Sequence, residues 1–487
     1  MVKVTKEVLT LFSIIVTDDA PDFAELAISH AIGEGDVPRV ETTLSLTDLA
    51  GRTTTDTCVT YGESDEPASA ALHRVVKLNF YRLLRRRLGL SATPWGILYG
   101  IRPVKIVHRW LDQGLSLAVI GERLKERYAV SEAKADLLRV VALHQRSFLF
   151  PTSAKDVSIY IGIPFCLSRC LYCSFPSHLL PGEDELRVFL RTLEKEIASV
   201  RAALDRYGLR VQNIYVGGGT PTSLPDPFFA EMMDMVGAAF YHSEVREFTV
   251  EAGRPDSLSP HKIQTMSAAH VNRVSVNPQT MQDRTLRRIG RHHTPEDIVT
   301  MYRALRAAGI PSVNMDVIIG LPGETAADVR DTMEKIAALS PDDITLHTLA
   351  LKRGSALKLH LAETALPSGA AVREMFAIAV DIVTKEGFAP YYLYRQGYQG
   401  GQLENIGYCR PGRESLYNMQ IMEERQTVLG IGGAATSKVV DPKTGRMYAS
   451  FNAKDVKSYL TGIDTYIEKR AALLSRAYGG LREEMLC

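Results

Sequence analysis

The chain predicts an α/β fold: an open, TIM-like partial (β/α)6 barrel over residues 151–385, an accessory α/β domain over 1–150, and an extension over 386–487 that covers the barrel. Three observations lead there. From Val157 onward, short apolar runs alternate regularly with longer amphipathic ones, the pattern of βα units around a parallel sheet. Six such units are present, fewer than the eight of a closed barrel. A chain of 487 residues also exceeds what one hydrophobic core fills, so two or three domains are expected.

In the accessory domain, Leu9 to Thr17, Val40 to Leu46 and Thr54 to Tyr61 read as strands, and Ala68 to Leu88 and Leu115 to Phe148 as helical. Between the helical runs, TPWGILYGIRPVKI carries Pro94, Gly96, Gly100 and Pro103 and reads as a turn with a helix entry near its end. The barrel strands fall at 157–165, 211–219, 247–253, 271–279, 312–320 and 342–350. Helical segments separate them at Asp184 to Tyr207, Pro227 to Phe240, Pro260 to His270, Pro295 to Ala308 and Thr325 to Leu339. Past residue 385 the pattern loosens into a helical run MEERQTVLG, a Gly-rich turn IGGAA and a closing helix from Ala453 to Arg470.

A formal net charge of +1 supplies no global field for nucleic acid or an anionic membrane, so an acidic substrate needs a local basic cluster. Arg85, Arg86 and Arg87 form the one dense basic run and read as a solvated helix face. No stretch approaches the roughly 20 apolar residues of a membrane span. The early apolar run is followed by Asp18 and Asp19 without a cleavage signal, so a cytoplasmic location is expected. Six cysteines are too few for a disulfide scaffold, and three crowd into the eight positions 166–173. Cys58, Cys409 and Cys487 stand isolated and read as inert thiols.

PFCLSRCLYC places Cys166, Cys170 and Cys173 at C-x3-C-x2-C spacing directly after a strand, where the thiols can converge on one inorganic cluster. A [4Fe-4S] cube normally takes four cysteines, so three leave one iron open to a further ligand. A zinc site would pair C-x2-C with a second pair or with histidines, and the nearest histidine is His178; unrelated structural cysteines are the remaining alternative. With Tyr172 before the last cysteine, the motif resembles the hallmark of the radical S-adenosylmethionine (SAM) superfamily. That resemblance implies a [4Fe-4S] cluster whose open iron chelates the amino and carboxylate groups of SAM. It further implies one-electron cleavage of SAM to methionine and a 5′-deoxyadenosyl radical, the cofactor supplying the hard step.

Other positions follow from the same resemblance. Three glycines end the second strand in YVGGGTP, where the backbone can approach a ligand or simply make a tight turn; the family places Gly218, Gly219 and Thr220 against the methionine end of SAM. Glu251 ends the third strand, where a buried carboxylate needs partners. It matches a glutamate of the cofactor pocket. Gln279, Arg291 and Asp316 match further polar contacts, and each could equally be a strand-end residue bonded to a loop. Tyr160 matches a phenol that reaches the cofactor, against the plain reading of a strand aromatic, and Ala350 aligns with a backbone contact. No catalytic side chain beyond the cluster ligands is implied.

YIGIPFC, YVGGGTPT and MDVIIGLPGET resemble the oxygen-independent coproporphyrinogen III oxidase group. TPWGILYGIRPVKI, CLYCSFPS and YYLYRQ…LENIGY…YN…IMEERQT resemble its HemZ-type coproporphyrinogen dehydrogenases. The implied reaction removes a hydrogen from the β-carbon of a propionate. Loss of CO2 and an electron then leaves a vinyl group, and two rounds give protoporphyrinogen IX in haem and porphyrin biosynthesis. The implied partners are a tetrapyrrole and a low-potential electron donor of the flavodoxin or ferredoxin type, with no nucleic acid and no membrane. Arg254, Lys352, Arg353 and Arg395 are candidates to hold the substrate carboxylates, though surface solvation also accounts for each. The chain departs from the established oxidases at Phe175, where they carry a further cysteine. A haem chaperone branch shares that gap, so haem binding, or radical chemistry on haem itself, is the alternative. The long N-terminal domain and the tail favour the oxidase reading.

Overall fold

The computed structural model describes residues 8–9, 23–33, 37–89, 93–98, 100, 102–150, 153–352, 354–359, 365–396 and 400–479. Apart from Leu9, the strand expected at Leu9 to Thr17 lies outside the described residues, as do Arg353 and Cys487. The chain divides into two compact units, 1–143 and 144–487.

In the first unit, β1 (Glu25–Gly33), β2 (Arg39–Thr47) and β3 (Thr53–Tyr61) form an antiparallel sheet with β2 in the centre. On β2, Val40, Thr42, Leu44 and Leu46 are buried and their neighbours are not, so one face packs and the other is wetted. The helix Ala68–Leu88 lies against this sheet. Its Asn79 is buried and donates to the carbonyls of Val40 (3.0 Å) and Cys58 (3.2 Å). At the end of that helix Arg86 pairs with Asp56 and Arg87 donates to the Thr55 carbonyl, on the exposed face expected for the basic run. The run read as one helix from Leu115 to Phe148 is two, Leu117–Tyr128 and Glu132–Leu149, parted at Ala129, whose φ of 55° is left-handed.

The second unit is built on an eleven-stranded sheet. Its members in chain order are β4 (Asp156–Ile163), β7 (Arg210–Gly218), β8 (Glu247–Glu251), β9 (Arg273–Gln279), β10 (Ser312–Ile319), β11 (Asp343–Thr348), β12 (Ala389–Tyr394), β13 (Asn405–Cys409), β14 (Thr427–Gly432), β15 (Thr436–Val440) and β16 (Met447–Phe451). The short β5 (Phe165–Cys166) and β6 (His178–Leu179) pair separately. Strands β4, β7, β8, β9, β10 and β11 run parallel in that order, the six βα units of an open α/β barrel. Their residues are buried almost throughout, and on β9, β10 and β11 apolar side chains alternate with polar ones. Helix starts carry their own signals: Thr294 with Asp297, and Thr325 with Asp328, form capping boxes, and Pro260 and Pro295 take the first helical position.

Residues after 386 supply five strands to this sheet. The hairpin β12–β13 extends the β11 edge antiparallel, and β14 lies parallel to β4 at the opposite edge, followed by β15 and β16. The run MEERQTVLG is therefore not one helix. The helix Leu416–Glu423 stops at Glu424, left-handed at φ 53°, and Thr427–Gly432 is a fully buried strand. A short apolar run buried on both faces carries no period that separates strand from helix. The closing helix is likewise two, Val456–Thr461 and Ile463–Tyr478. Glu196 anchors this region from inside: it accepts from Gly432 N (2.7 Å), Tyr459 Oη (2.7 Å), Asn452 Nδ2 (2.8 Å) and the Arg470 guanidinium. Among the described residues no helix is long and apolar enough to cross a membrane.

Candidate active site

The cluster loop begins where β4 runs out. Pro164 interrupts the ladder, β5 pairs with β6, and the chain then turns through Cys166, Cys170 and Cys173. Backbone bonds from outside hold the turn: Leu171 N donates to the Ile289 carbonyl (3.0 Å), and Leu357 N donates to the Leu171 carbonyl (2.8 Å). Inside it Cys173 N donates to the Cys170 carbonyl (3.1 Å). All three thiols are free of disulfides. Burial pushes the Cys166 and Cys173 thiols up from their ordinary value, so thiolates here require a cation to balance them.

The loop forms one wall of a cavity of about 450 Å³ at the C-terminal ends of the parallel strands. All thirteen residues expected from the sequence as cluster ligands or SAM contacts line it. Against the cluster loop packs the β7 end. Gly218 has φ 115°, open to glycine, and Gly219 lies so close to the loop that a Cβ would fall 2.5 Å from the Phe165 carbonyl oxygen and 3.0 Å from Cys166 Sγ. Thr220 Oγ1 sits 3.4 Å from Cys166 Sγ.

The next strand ends supply polar groups. Glu251 accepts from Tyr215 Oη at 2.7 Å; burial, reinforced by the charge of Asp316, pushes its carboxyl up to about 7. Gly217 makes room for it, since a Cβ there would sit 2.9 Å from Glu251 Cδ. Asp316 is bonded by Asn314 Nδ2 (2.7 Å) and faces His347 Nε2 at 3.7 Å. Burial opposes its charge, but His347 and Asn314 outweigh that and hold it below the ordinary carboxylate value. A register shift between β9 and β10 at this point accompanies Gln279 at φ 65°. Its side-chain oxygen is buried without a protein partner, a group prepared for a ligand.

Arg291 acts as a staple. Its Nη1 donates to the carbonyls of Gly253 and Asn277, both at 2.8 Å, and its Nη2 to Tyr172 Oη at 3.0 Å, joining the loop to two strand ends. Tyr160 stands in a group of three phenols, with Tyr215 and Tyr417 stacked at 4.4 Å between centroids and Tyr160 6.1 and 6.3 Å from them. Ala350 lines the wall just past β11.

The cations considered for substrate carboxylates separate. Arg254 is engaged, Nη1 with the Ser168 carbonyl (2.8 Å) and Nε and Nη2 with Asp256. Arg395 donates to the Gln402 carbonyl (3.3 Å) and is not among the lining residues. Lys352 lines the cavity with its ammonium 5.8 Å over the Phe175 ring, and the exposed Arg169 also lines it. Tyr215, Gly217, Asn277, His347 and Tyr417 escaped the sequence reading. The signal for most was the strand period of two, because Ser275, Asn277 and Gln279, Asn314 and Asp316, and Thr345 and His347 all line the cavity.

The residues present fit an iron-sulfur cluster and its ligand. Three unpaired sulfurs share one loop, a glycine cradle faces them, and buried polar atoms, among them Gln279 Oε1 and Ser168 Oγ, lack protein partners.

Residues 160–336 match the radical SAM superfamily. The chain is 36% identical over 423 residues to the oxygen-independent coproporphyrinogen-III oxidase-like protein HemZ of Bacillus subtilis, spanning 85% of this chain and 83% of that protein. It is 29% identical over 322 residues to the heme chaperone HemW of the same organism, spanning 64% and 76%. Among solved structures its fold is similar to coproporphyrinogen III oxidase (HemN) from Escherichia coli, a radical SAM enzyme, with a TM-score of 0.53 and 23% identity over 66% of this chain and 72% of that one.

Proposed function

Because the chain belongs to the radical SAM superfamily, in its HemZ-type, coproporphyrinogen-oxidase-like group, we propose that it converts propionate side chains of coproporphyrinogen III to vinyl groups without oxygen, giving protoporphyrinogen IX. The observation that carries the chemistry is the convergence of three free cysteines and the strand-end polar residues on one cavity. The substrate assignment leans on the HemZ relative, which matches 85% of this chain against 64% for the chaperone HemW.

When bound, the [4Fe-4S] cluster and SAM supply a carbon radical strong enough to abstract hydrogen from an unactivated carbon. The chain's own work is placement. Cys166, Cys170 and Cys173 would hold the cluster, and the bare backbone at Gly218 and Gly219 leaves room beside the loop. Thr220, Glu251, Gln279 and Asp316 would bind the polar groups of SAM, with Tyr160 and Ala350 along its length. Arg291 holds Tyr172 and the loop in register with the β8 and β9 ends. Lys352 and Arg169, which line the cavity with Phe175, would meet carboxylates of a tetrapyrrole.

Phe175 also favours a second reading, haem binding and delivery, because a further cysteine is missing there. Anaerobic incubation of cluster-loaded protein with coproporphyrinogen III, SAM and a low-potential reductant separates the two. The expected result is vinyl product with CO2 released and SAM consumed, and neither product nor SAM cleavage in a Cys170→Ser variant. SAM left intact by the parent protein, with haem bound tightly, would replace the oxidase reading with the chaperone.

A further inference from the structure

Cys409 reads in the sequence as an isolated thiol, but the fold gives it neighbours of a particular kind. Its Sγ, a ring nitrogen of His144 and a carboxylate oxygen of Glu414 lie within 4.8 Å of one another. The donors come from the helix Glu132–Leu149, from the end of β13 and from the loop that follows. Cys409 is 1% exposed and the Glu414 side chain 4%, so a thiol and a carboxylate are held out of water beside an imidazole. His144 Nδ1 donates to the Pro390 carbonyl at 3.0 Å, which fixes the ring and aims Nε2 at Glu414 Oε1, 2.8 Å away. A ligating histidine is oriented in this way, one nitrogen tied to a carbonyl and the other turned to the ion. Glu414 takes both neighbours, accepting from His144 Nε2 and from the Cys409 thiol, so the three donor groups already converge on one point.

We propose that His144, Cys409 and Glu414 form a second metal site, separate from the cluster loop, for a divalent ion of the zinc class. The donor set decides the class: a soft thiolate with imidazole and one carboxylate suits zinc, whereas magnesium and calcium take oxygen ligands. On binding, the ion replaces the thiol proton and the proton between His144 and Glu414, and both are released to solvent. Among the described residues no fourth His, Cys, Asp or Glu joins the group, so water completes the coordination. Glu414 also lines a separate cavity of about 380 Å³ with Arg246 and Arg413, by which that water can enter. The ion ties the helix end to the β13 edge of the sheet, where Leu149, Tyr391, Cys409 and Met419 already pack together.

The test uses full-length, cluster-loaded protein, so that the loop thiols are occupied. After equilibration with zinc and exchange into metal-free buffer, elemental analysis is expected to find about one zinc per chain. Cys409→Ser and Glu414→Gln should bind zinc at least about tenfold more weakly. A second arm replaces Cys166, Cys170 and Cys173 with serine and adds Co(II). A thiolate-to-cobalt absorption band is expected there, and it should vanish when Cys409→Ser is added. Zinc at equal level in the parent and in Cys409→Ser would overturn the site. So would its absence from the parent together with no thiolate band in the loop variant, a result that needs no substitution at the site to fold.

Discussion

Gly219 shows how much one missing methyl group decides. Its backbone N donates to the Ile163 carbonyl at 2.8 Å while the cluster loop passes directly over it. A Cβ at 2.5 Å from a backbone oxygen cannot be relieved by a side-chain rotation, so strain on the order of 1–3 kcal/mol falls on the loop. Gly219→Ala should therefore fold yet retain less iron and sulfide per chain after reconstitution; unchanged content would show that the loop gives way freely. Glu324 is a second case, away from the cysteines. It is buried, accepts from Thr280 Oγ1 at 2.6 Å, and burial pushes its carboxyl up to about 7. Since its folded value lies above its unfolded one, ionising it costs stability: the penalty is absent below about pH 4.5, grows as pH rises, and is complete above about pH 7. Glu324→Gln keeps the acceptor and removes the charge. The variant's unfolding free energy should gain on the parent between pH 5 and 8 by up to about 3 kcal/mol, and a pH-independent difference would contradict it.

At the level of elements, the strand β14 holds the C-terminal region to the barrel. It pairs with β4 over six residues from Thr427 to Gly432, and Gly430 allows the close return of β15, for a Cβ there would meet the Thr436 carbonyl at 2.5 Å. The buried Glu196–Arg470 pair then links the helix Glu183–Tyr207 to the helix Ile463–Tyr478. Both side chains are almost fully enclosed, so removing one partner strands the other. Arg470→Met should lower stability by about 3–5 kcal/mol in denaturant unfolding, and adding Glu196→Gln should recover much of it. A loss below 1 kcal/mol would mean that Glu196 is satisfied by its neutral donors alone. None of this pairing is written in local pattern. TVLGIG is apolar at almost every position because both faces are covered, and Arg470 looks like any other arginine on an amphipathic helix.

For the molecule as a whole, every strand around the candidate site belongs to the unit 144–487. The three-stranded sheet of the first unit has its own core, with Leu44, Leu78, Phe80 and Leu83 among its members. A fragment from Ser131 to the C-terminus keeps the helix that bears His144 and the complete eleven-stranded sheet. It is expected to fold and to load its cluster, with iron content equal to that of the parent. Failure to load would assign the first unit a part in building the site.

The sequence by itself determined the chemistry and the scaffold. Cysteine spacing, glycines at a strand end and the βα alternation are local features, and local features survive in one dimension because backbone geometry at neighbouring positions imposes them. For that reason the cysteines and the glycine run stand out in the sequence, and Gly218, Gly219, Glu251, Gln279 and Asp316, named through the family resemblance those motifs carry, are found lining the same cavity. Only the tertiary structure decided what depends on separated segments meeting. The seventh parallel strand, the engagement of Arg254 with Asp256 and Ser168, the Tyr160–Tyr215–Tyr417 stack and the meeting of His144 with Cys409 and Glu414 each join positions whose sequence neighbours say nothing of the partner. A side chain's chemistry is written in the chain, but its surroundings are set by the packing of distant segments.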